Sequence, residues 1–191
     1  MNKFEIEIQV KVKSNKKLVA FLRRRAKFIS KSQQIDEYFS PRHNDFLSKR
    51  PIKEWLRLRN ANGNYSLNYK NWYFNKEGKS FHCDEYETKI DQLDQAKRIL
   101  LALGFERIVI VDKVRQVWTY NDYEIALDSV KNLGAFVEIE YLGKDKKVNP
   151  EKVAEQMVNF LKEVGCEEIM INYVGYPFQL LFPEEVKHEK Q

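Results

Sequence analysis

The 191-residue sequence has little of what secreted and membrane-spanning proteins need. It contains only two cysteines, Cys83 and Cys166, which lie far apart and form no CxxC motif. This pattern argues against a disulfide framework and favours a reduced, cytoplasmic protein. No apolar run approaches the roughly 20 residues of a membrane-spanning helix, so we expect no membrane contact. Only three histidines are present, and no Ser/His/Asp or Cys/His arrangement stands out by its spacing.

Charge, in contrast, is abundant. Charged residues make up 32% of the chain and hydrophobic residues 43%, a globular composition that excludes disorder as the main state. The formal net charge of +5 suits a phosphate-bearing partner without requiring one. Because no linker or low-complexity segment interrupts the chain, we predict one domain over residues 1–182 and a polar tail over 183–191.

Several segments alternate apolar and polar residues with a period of two, which predicts β-strands. The clearest is 4–12, and the hairpin 55–70 follows the same pattern around a turn at Gly63. Residues 33–53 and 71–82 show no such alternation, so we interpret much of 42–51 and all of 71–82 as loops. Helices are predicted over about 16–28, over 92–103 and between Asn149-Pro150 and Gly165. The pattern amounts to about eight strands and three helices.

Like charges recur in pairs spaced two residues apart on the predicted strands, which places both members of a pair on one strand face. A single pair of this kind is normally a solvated surface. A whole set of such pairs, acidic and basic, instead suggests segregated binding surfaces inside a strongly curved or closed sheet whose outer face the helices cover. The pairs are Glu5/Glu7, Arg57/Arg59, Glu85/Glu87, Lys113/Arg115 and Glu138/Glu140.

Such an interior has a definite chemical use. Clustered glutamates offer the oxygen ligands that Mg²⁺ or Mn²⁺ prefers. Paired arginines and lysines can clamp phosphate oxygens, with arginine donating forked hydrogen bonds. The residues alone therefore predict a metal-dependent triphosphate site.

Seven short motifs, in order along the chain, resemble those of the CYTH superfamily, the triphosphate tunnel metalloenzymes. The pattern is most similar to the class IV adenylyl cyclase-like subgroup, and it covers about Phe4 to Gly165. The motifs are Glu5-Ile-Glu7, Trp55-Leu-Arg57-Leu-Arg59, Tyr69-Lys70, Asp84-Glu85-Tyr86-Glu87, Val111-Asp-Lys113-Val-Arg115, Ala126-Leu-Asp128 and Phe136-Val-Glu138-Ile-Glu140.

The resemblance implies an α+β fold, an eight-stranded antiparallel β-barrel (the triphosphate tunnel of the CYTH fold) with helices packed outside. It implies Mg²⁺ or Mn²⁺ bound by Glu5, Glu7, Asp128, Glu138 and Glu140. It implies substrate phosphate contacts from Arg57, Arg59, Lys70, Lys113 and Arg115, and we expect Gln9 and Lys11 on the first strand to add to them. We expect Glu5, Glu7, Lys113 and Arg115 to be catalytic and Glu85 and Glu87 to be further tunnel acids.

One position departs from the family pattern. The lysine expected two residues after the second glutamate is Gln9 here, and Lys11 stands two residues further on the same strand face. Gln9 could hydrogen-bond a phosphate oxygen, but it brings no charge.

Three functions remain open at this point. The first is a class IV adenylyl cyclase-like enzyme that converts ATP to cyclic AMP and pyrophosphate. The second is a tripolyphosphatase or a nucleoside or thiamine triphosphatase on the same scaffold. The third is a non-catalytic module that binds polyphosphate or triphosphorylated RNA ends, which Gln9 favours and the glutamates oppose.

A cyclase also needs a place for adenine. The loop aromatics Trp72, Tyr73, Phe74 and Phe81 could stack on a base, although such residues more often pack on a barrel rim. We expect a triphosphate substrate as partner, no nucleic acid, and an oligomeric state compatible with a homodimer.

Overall fold

A computed structural model describes residues 3–143 and 148–191 of the protein. In these ranges the strands are β1 (Lys3–Lys11), β2 (Lys27–Pro41), β3 (Glu54–Ala61), β4 (Asn64–Phe74), β5 (Ser80–Ile90), β6 (Phe105–Tyr120), β7 (Tyr123–Val130), β8 (Gly134–Tyr141), β9 (Met170–Asn172) and β10 (Glu189–Lys190). The α-helices are α1 (Lys16–Arg25), α2 (Leu93–Ala102), α3 (Pro150–Glu163) and α4 (Tyr176–Leu181). None of these helices is long and apolar enough to cross a bilayer.

Eight of the strands close into a barrel. Their order around it is β1-β5-β4-β3-β2-β6-β7-β8, and β8 pairs back with β1. Every pairing is antiparallel, and Ile8 of β1 lies opposite Ile139 of β8 at the closure. This confirms the predicted α+β fold, an eight-stranded antiparallel barrel with helices packed outside.

The strand β1 has different neighbours along its length. On one edge its first half pairs with β5 and its last three residues, from Gln9 to Lys11, pair with β9. The strand β10 adds to β9, so the last part of the chain is attached to one end of the barrel. Whether residues 183–191 form a tail separate from a domain over 1–182 stays a prediction.

The helices cover the apolar outer face of the barrel. Side chains alternate along a strand, so Ile6, Ile8 and Val10 point outward and are buried, while Glu5 and Glu7 point inward. The outward residues pack in one core with helices α1 and α3. Its fully buried members on those helices are Leu18, Leu22, Met157 and Leu161.

Helix α3 has the ends that its sequence predicts. The side chain of Asn149 accepts hydrogen bonds from the backbone N–H groups of Glu151 (2.9 Å) and Lys152 (3.2 Å), and Pro150 occupies the first turn. Past the helix, Gly165 has a φ of +84°, the left-handed conformation that glycine adopts without strain.

Two predictions about local structure were wrong. The long strand β2 includes the end of the predicted first helix. It also includes part of segment 33–53, for which the sequence showed no alternation. Residues 27–33 at its start are mostly exposed, so no apolar alternation marks them, although they pair with β6. The predicted loop 71–82 is largely a continuation of β4 and β5. Its turn is held by Asn75, whose side chain accepts from the N–H groups of Glu77 and Lys79.

The core beneath α3 gives a direct stability prediction. We expect Leu161→Ala to lower the free energy of unfolding by about 2–5 kcal/mol, because Leu161 is fully buried and its truncation leaves a cavity. The control is Leu101→Ala on α2, where the leucine is 51% exposed and we expect a change of about 0.5 kcal/mol or less. Urea unfolding followed by circular dichroism measures both. Equal losses in the two variants would contradict the position of the core.

Candidate functional site

The inward faces of the barrel strands enclose a cavity of about 270 Å³, called the tunnel below. The structure brings together at its wall all the predicted site residues other than Lys11 and Asp128. Those at the wall are Glu5, Glu7, Gln9, Arg57, Arg59, Lys70, Glu85, Glu87, Lys113, Arg115, Glu138 and Glu140. The amino group of Lys11 lies over the ring of Phe136, 4.8 Å from its centroid.

Neighbouring strands β1 and β8 form an acidic wall. Glu7 lies directly opposite Glu140, and Gln9 opposite Glu138, so these side chains share one face. Lys70 reaches this wall from β4, with its Nζ 2.7 Å from Glu5 Oε2 and 3.0 Å from Glu7 Oε2. Burial alone would lower the pKa of Lys70, but the two glutamates outweigh it and hold that pKa well above its ordinary value.

Burial and neighbouring acids oppose the ionisation of Glu7 in the acidic wall. Burial raises the pKa of Glu7 to about 8, with Lys70 opposing the rise and Glu5 and Glu138 adding to it. A bound cation would favour the ionised carboxylate, and carboxylate oxygens are the ligands of hard divalent metals. The donor set therefore fits Mg²⁺ or Mn²⁺.

In the described part of the chain, the carboxylates of the acidic wall do not surround a common point. Over the described ranges, no group of three or more His, Cys, Asp and Glu side chains is arranged as a metal site. Instead Lys70 pairs with Glu5 and Glu7, while Arg115 pairs with Glu138.

Asp128 lies behind the basic wall, the name used below for Arg57, Arg59, Lys113 and Arg115 at the tunnel. Its two carboxylate oxygens accept a forked pair of bonds from Arg115, from Nε at 2.8 Å and from Nη2 at 2.5 Å. The hydroxyl of Tyr176 donates to it at 2.8 Å, and Lys113 Nζ lies 3.4 Å away. Asp128 is therefore placed to orient the Lys113/Arg115 pair, and its expected role as a metal ligand stays a prediction.

The two basic residues on β6 differ in their electrostatics. Burial lowers the pKa of Lys113 to about 8, and the neighbouring Arg115 contributes to this shift. Burial would also lower the pKa of Arg115, but Glu138 and Asp128 hold it well above its ordinary value. Arg115 therefore keeps its positive charge, whereas Lys113 loses its positive charge more easily.

Asp36, which is not among the predicted site residues, contacts the second basic pair, Arg57 and Arg59. Asp36 is fully buried on β2 and accepts a forked pair of bonds from Arg59, at 2.6 and 2.7 Å. Arg57 makes only long contacts of 3.4 Å, to Asp36 and to the Tyr38 hydroxyl. In the described part of the chain the buried Nε of Arg57 has no hydrogen-bond partner, so turning the side chain toward a ligand would break no bond of this donor.

The one signal that could have identified Asp36 is the alternation Asp36-Glu-Tyr38, which matches Arg57-Leu-Arg59. Across the β2–β3 pair, Asp36 faces Arg59 and Tyr38 faces Arg57. Without the register, nothing in the sequence selects Asp36 among the acidic residues.

The tunnel acids on β5 have polar partners on β4. The amide of Asn68 donates to Glu85 at 2.7 Å, and the hydroxyl of Ser66 donates to Glu87 at 3.0 Å. Lys70 lies 3.9 Å from Glu85. Each of these acids thus accepts a hydrogen bond from a neutral donor on β4.

A second cavity, of about 500 Å³, adjoins the tunnel and is called the side cavity below. The two share the wall residues Glu7, Gln9, Trp55, Trp72 and Gly175. Of the four loop aromatics considered above, the three that line the side cavity are Trp72, Phe74 and Phe81. Tyr73 is instead 45% exposed and stacks on His82, with ring centroids 5.0 Å apart.

We expect Asp36→Asn to lower the free energy of unfolding by about 3–5 kcal/mol at neutral pH, because it leaves buried arginines without their counter-charge. Burial would raise the pKa of Asp36, but Arg59 and Arg57 outweigh it and hold that pKa far below its ordinary value. The stabilisation by the ionised form is therefore present above the unfolded pKa of about 4 and is lost as the pH falls.

Urea unfolding at pH 7 and at pH 3 measures this effect. We expect the difference in the free energy of unfolding between wild type and variant to be smaller at pH 3. The control is Asp112→Asn on β6, a half-buried residue that accepts a hydrogen bond from the exposed Gln33. If the difference in the free energy of unfolding is the same at both pH values, Asp36 is not ionised in the folded protein.

Comparison with known proteins agrees with this geometry. The CYTH domain model matches residues 3–170. A Methanocaldococcus jannaschii protein named "putative adenylate cyclase" is 35% identical over 165 residues, which is 86% of this chain and 91% of that protein.

Solved structures have the same fold. The PH1819 protein of Pyrococcus horikoshii is 28% identical, with a TM-score of 0.75 and coverage of 95% of this chain and 99% of that one. A Hippeastrum protein, described as a "putative adenylyl cyclase" with a dominant triphosphatase activity, is 23% identical. Its TM-score is 0.67, over 97% of this chain and all of that one. The chain therefore belongs to the CYTH domain family.

Proposed function

We propose that this protein is a metal-dependent enzyme that acts on a triphosphate in the tunnel, and that its reaction is the conversion of ATP to cyclic AMP and pyrophosphate. The observation that carries the proposal is the joining of two unlike cavities. A charged tunnel suits a triphosphate, and an aromatic-lined side cavity suits the nucleoside attached to it. The relative that is 35% identical carries the name of the same activity.

The basic residues hold the phosphates. Arg57 has an unused Nε and only long contacts, and Lys113 has one ion pair at 3.4 Å. Both can turn to a phosphate oxygen without breaking a short bond. Arg59 and Arg115 keep forked bonds to Asp36 and Asp128, which hold their guanidinium groups in place against the tunnel wall.

The acidic wall holds the metal. Glu5, Glu7, Glu138 and Glu140 are the residues that would bind Mg²⁺ or Mn²⁺, and Lys70 would move away from Glu5 and Glu7 as the positive charge arrives. A divalent ion at this wall would neutralise phosphate charge and favour loss of the proton from a bound hydroxyl.

The cyclisation itself is a single displacement. The ribose 3′-oxygen forms a bond to the α-phosphorus while the bond from that phosphorus to the β-bridging oxygen breaks. The hydroxyl proton goes to water, and the electron pair of the broken bond leaves with pyrophosphate. What the protein contributes is alignment, with the triphosphate fixed by the basic wall and the nucleoside fixed by the side cavity.

Hydrolysis of a triphosphate is the second candidate. It needs the tunnel and a positioned water, and with inorganic tripolyphosphate as substrate it makes no use of the side cavity. The Hippeastrum structure is described by a dominant triphosphatase activity, although its identity to this chain is only 23%. A non-catalytic binder of polyphosphate or of triphosphorylated RNA is less favoured, because a polyanion gains nothing from the acidic wall without metal.

The deciding experiment incubates the purified protein with ATP, and separately with tripolyphosphate, in Mg²⁺ and then in Mn²⁺. Products are followed by ³¹P NMR. We expect cyclic AMP and pyrophosphate from ATP. Orthophosphate, formed chiefly from tripolyphosphate, would contradict the cyclase and establish hydrolysis.

Removal of the acidic wall tests the role of metal. We expect Glu138→Gln combined with Glu140→Gln to reduce turnover by more than about 100-fold, since even outer partners of metal ligands contribute roughly 10–100-fold. The control is Glu106→Gln. Glu106 is an exposed partner of Arg42 and is not among the residues at the tunnel wall. Metal-independent phosphate binding that the double variant leaves unchanged would favour the binding module instead.

The side cavity distinguishes a nucleoside triphosphate from inorganic tripolyphosphate as substrate. We expect Trp72→Ala to raise the KM for ATP about 10-fold, the size of a lost base–aromatic stacking contact, and to leave the KM for tripolyphosphate unchanged. Steady-state kinetics on both substrates with the same variant provide the control internally. An equal change for both substrates would show that Trp72 acts on the tunnel, where Lys70 lies 5.4 Å from its ring, and not on a nucleoside.

A further inference from the structure

A buried network of amides surrounds Gln9, the residue that stands in place of the family's lysine. Its Nε2 donates to Glu138 Oε1 at 3.0 Å. Its Oε1 accepts from Asn172 Nδ2 at 3.2 Å and from Gln179 Nε2 at 2.8 Å. The three amide residues are only 3–7% exposed, so water cannot replace these bonds.

The orientation of Asn172 is set by the backbone. Asn172 lies on β9, directly opposite Gln9, and its Oδ1 accepts from the N–H of Val174 at 3.2 Å. Turning this amide over would leave the N–H of Val174 facing a donor. Asn172 therefore presents N–H to residue 9.

Residue 9 must then accept on one side and donate on the other. A lysine has three donors and no acceptor, so it would face the N–H groups of Asn172 and Gln179. A glutamate would accept from both amides but would face the carboxylate of Glu138. Glutamine satisfies both sides, and this accounts for the departure from the motif in physical terms.

The short helix α4 acts on the same place by a second route. Its Tyr176 donates to Asp128, Asp128 holds Arg115 by the forked bonds, and Arg115 pairs with Glu138. Its Gln179 holds Gln9, which also donates to Glu138. Both routes therefore end at the carboxylate of Glu138.

We propose that the segment formed by β9 and α4 is a positioning element of the active site, in which Asn172 and Gln179 fix the amide of Gln9 so that it holds Glu138 at the acidic wall. Asn172 and Gln179 are positioning residues, since they act through Gln9. The activity part of this inference rests on the proposed function, but the network itself does not.

The first test uses the metal-free protein. In a ¹⁵N-labelled sample, the side-chain NH₂ of Gln9 should exchange slowly with solvent, and Gln9→Met identifies its signal. We expect Gln179→Met, which keeps the length of the side chain and removes its donor, to shift that signal and speed its exchange. The control is Gln33→Met on β2, outside the network. Melting temperatures establish that each variant folds.

The second test measures Mn²⁺ binding by electron paramagnetic resonance of the free ion. We expect Gln179→Met to weaken binding roughly 10-fold, as the loss of outer partners of metal ligands does. Gln9→Lys should weaken it as well, and adding Gln179→Glu to Gln9→Lys should restore part of the loss, because the new carboxylate accepts from the ammonium. A merely structural role for Gln179 predicts no such rescue.

The outcomes separate the two proposals. If folded Gln179→Met keeps the Gln9 signal and binds Mn²⁺ within about twofold of wild type, far less than loss of an outer partner produces, the positioning role is wrong whatever the enzyme does. If the NMR shift, the Mn²⁺ loss and the rescue all appear, the positioning role stands, even where neither ATP nor tripolyphosphate is turned over and the proposed function has failed.

Discussion

The structure depends on mutual neutralisation of opposite charges inside a closed barrel. Most charged side chains on the inner faces are largely shielded from bulk water, so their charges need partners on nearby strands. The ion pairs are Arg59 with Asp36, Arg115 with Asp128, and Lys70 with Glu5. The outer face is then left to the apolar residues, and the helices can cover it.

The same balance fits the proposed ligand, which carries both signs of charge. A metal–triphosphate complex would offer anionic oxygens to the basic wall and a cation to the acidic wall. Arg57, with its long contacts, and Lys113, with an ion pair at 3.4 Å, would exchange their internal partners most easily. The forked bonds to Asp36 and Asp128 would keep Arg59 and Arg115 in place.

The end of the chain completes the site from outside the barrel strands. Strand β9 continues the edge of β1 where β5 leaves it, and α4 follows at the mouth shared by the tunnel and the side cavity. One short segment thereby contacts both the acidic wall, through Gln9, and the residue behind the basic wall, Asp128. That one element contacts both places is a consequence of the topology.

The sequence by itself determined the period-two strands, the inward position of the paired charges, and the ends of α3, because each follows from local spacing or local hydrogen bonding. Only the tertiary structure decided the partners. Asp36, Asn172, Tyr176 and Gln179 carry no local signal, since their contacts to Arg59, Gln9 and Asp128 span from 23 to 170 positions along the chain. The start of β2 was missed for a related reason: its strand conformation comes from hydrogen bonds to β6, and its exposed side chains leave no apolar pattern. Register and closure are set by the whole barrel, and no window of the sequence contains them.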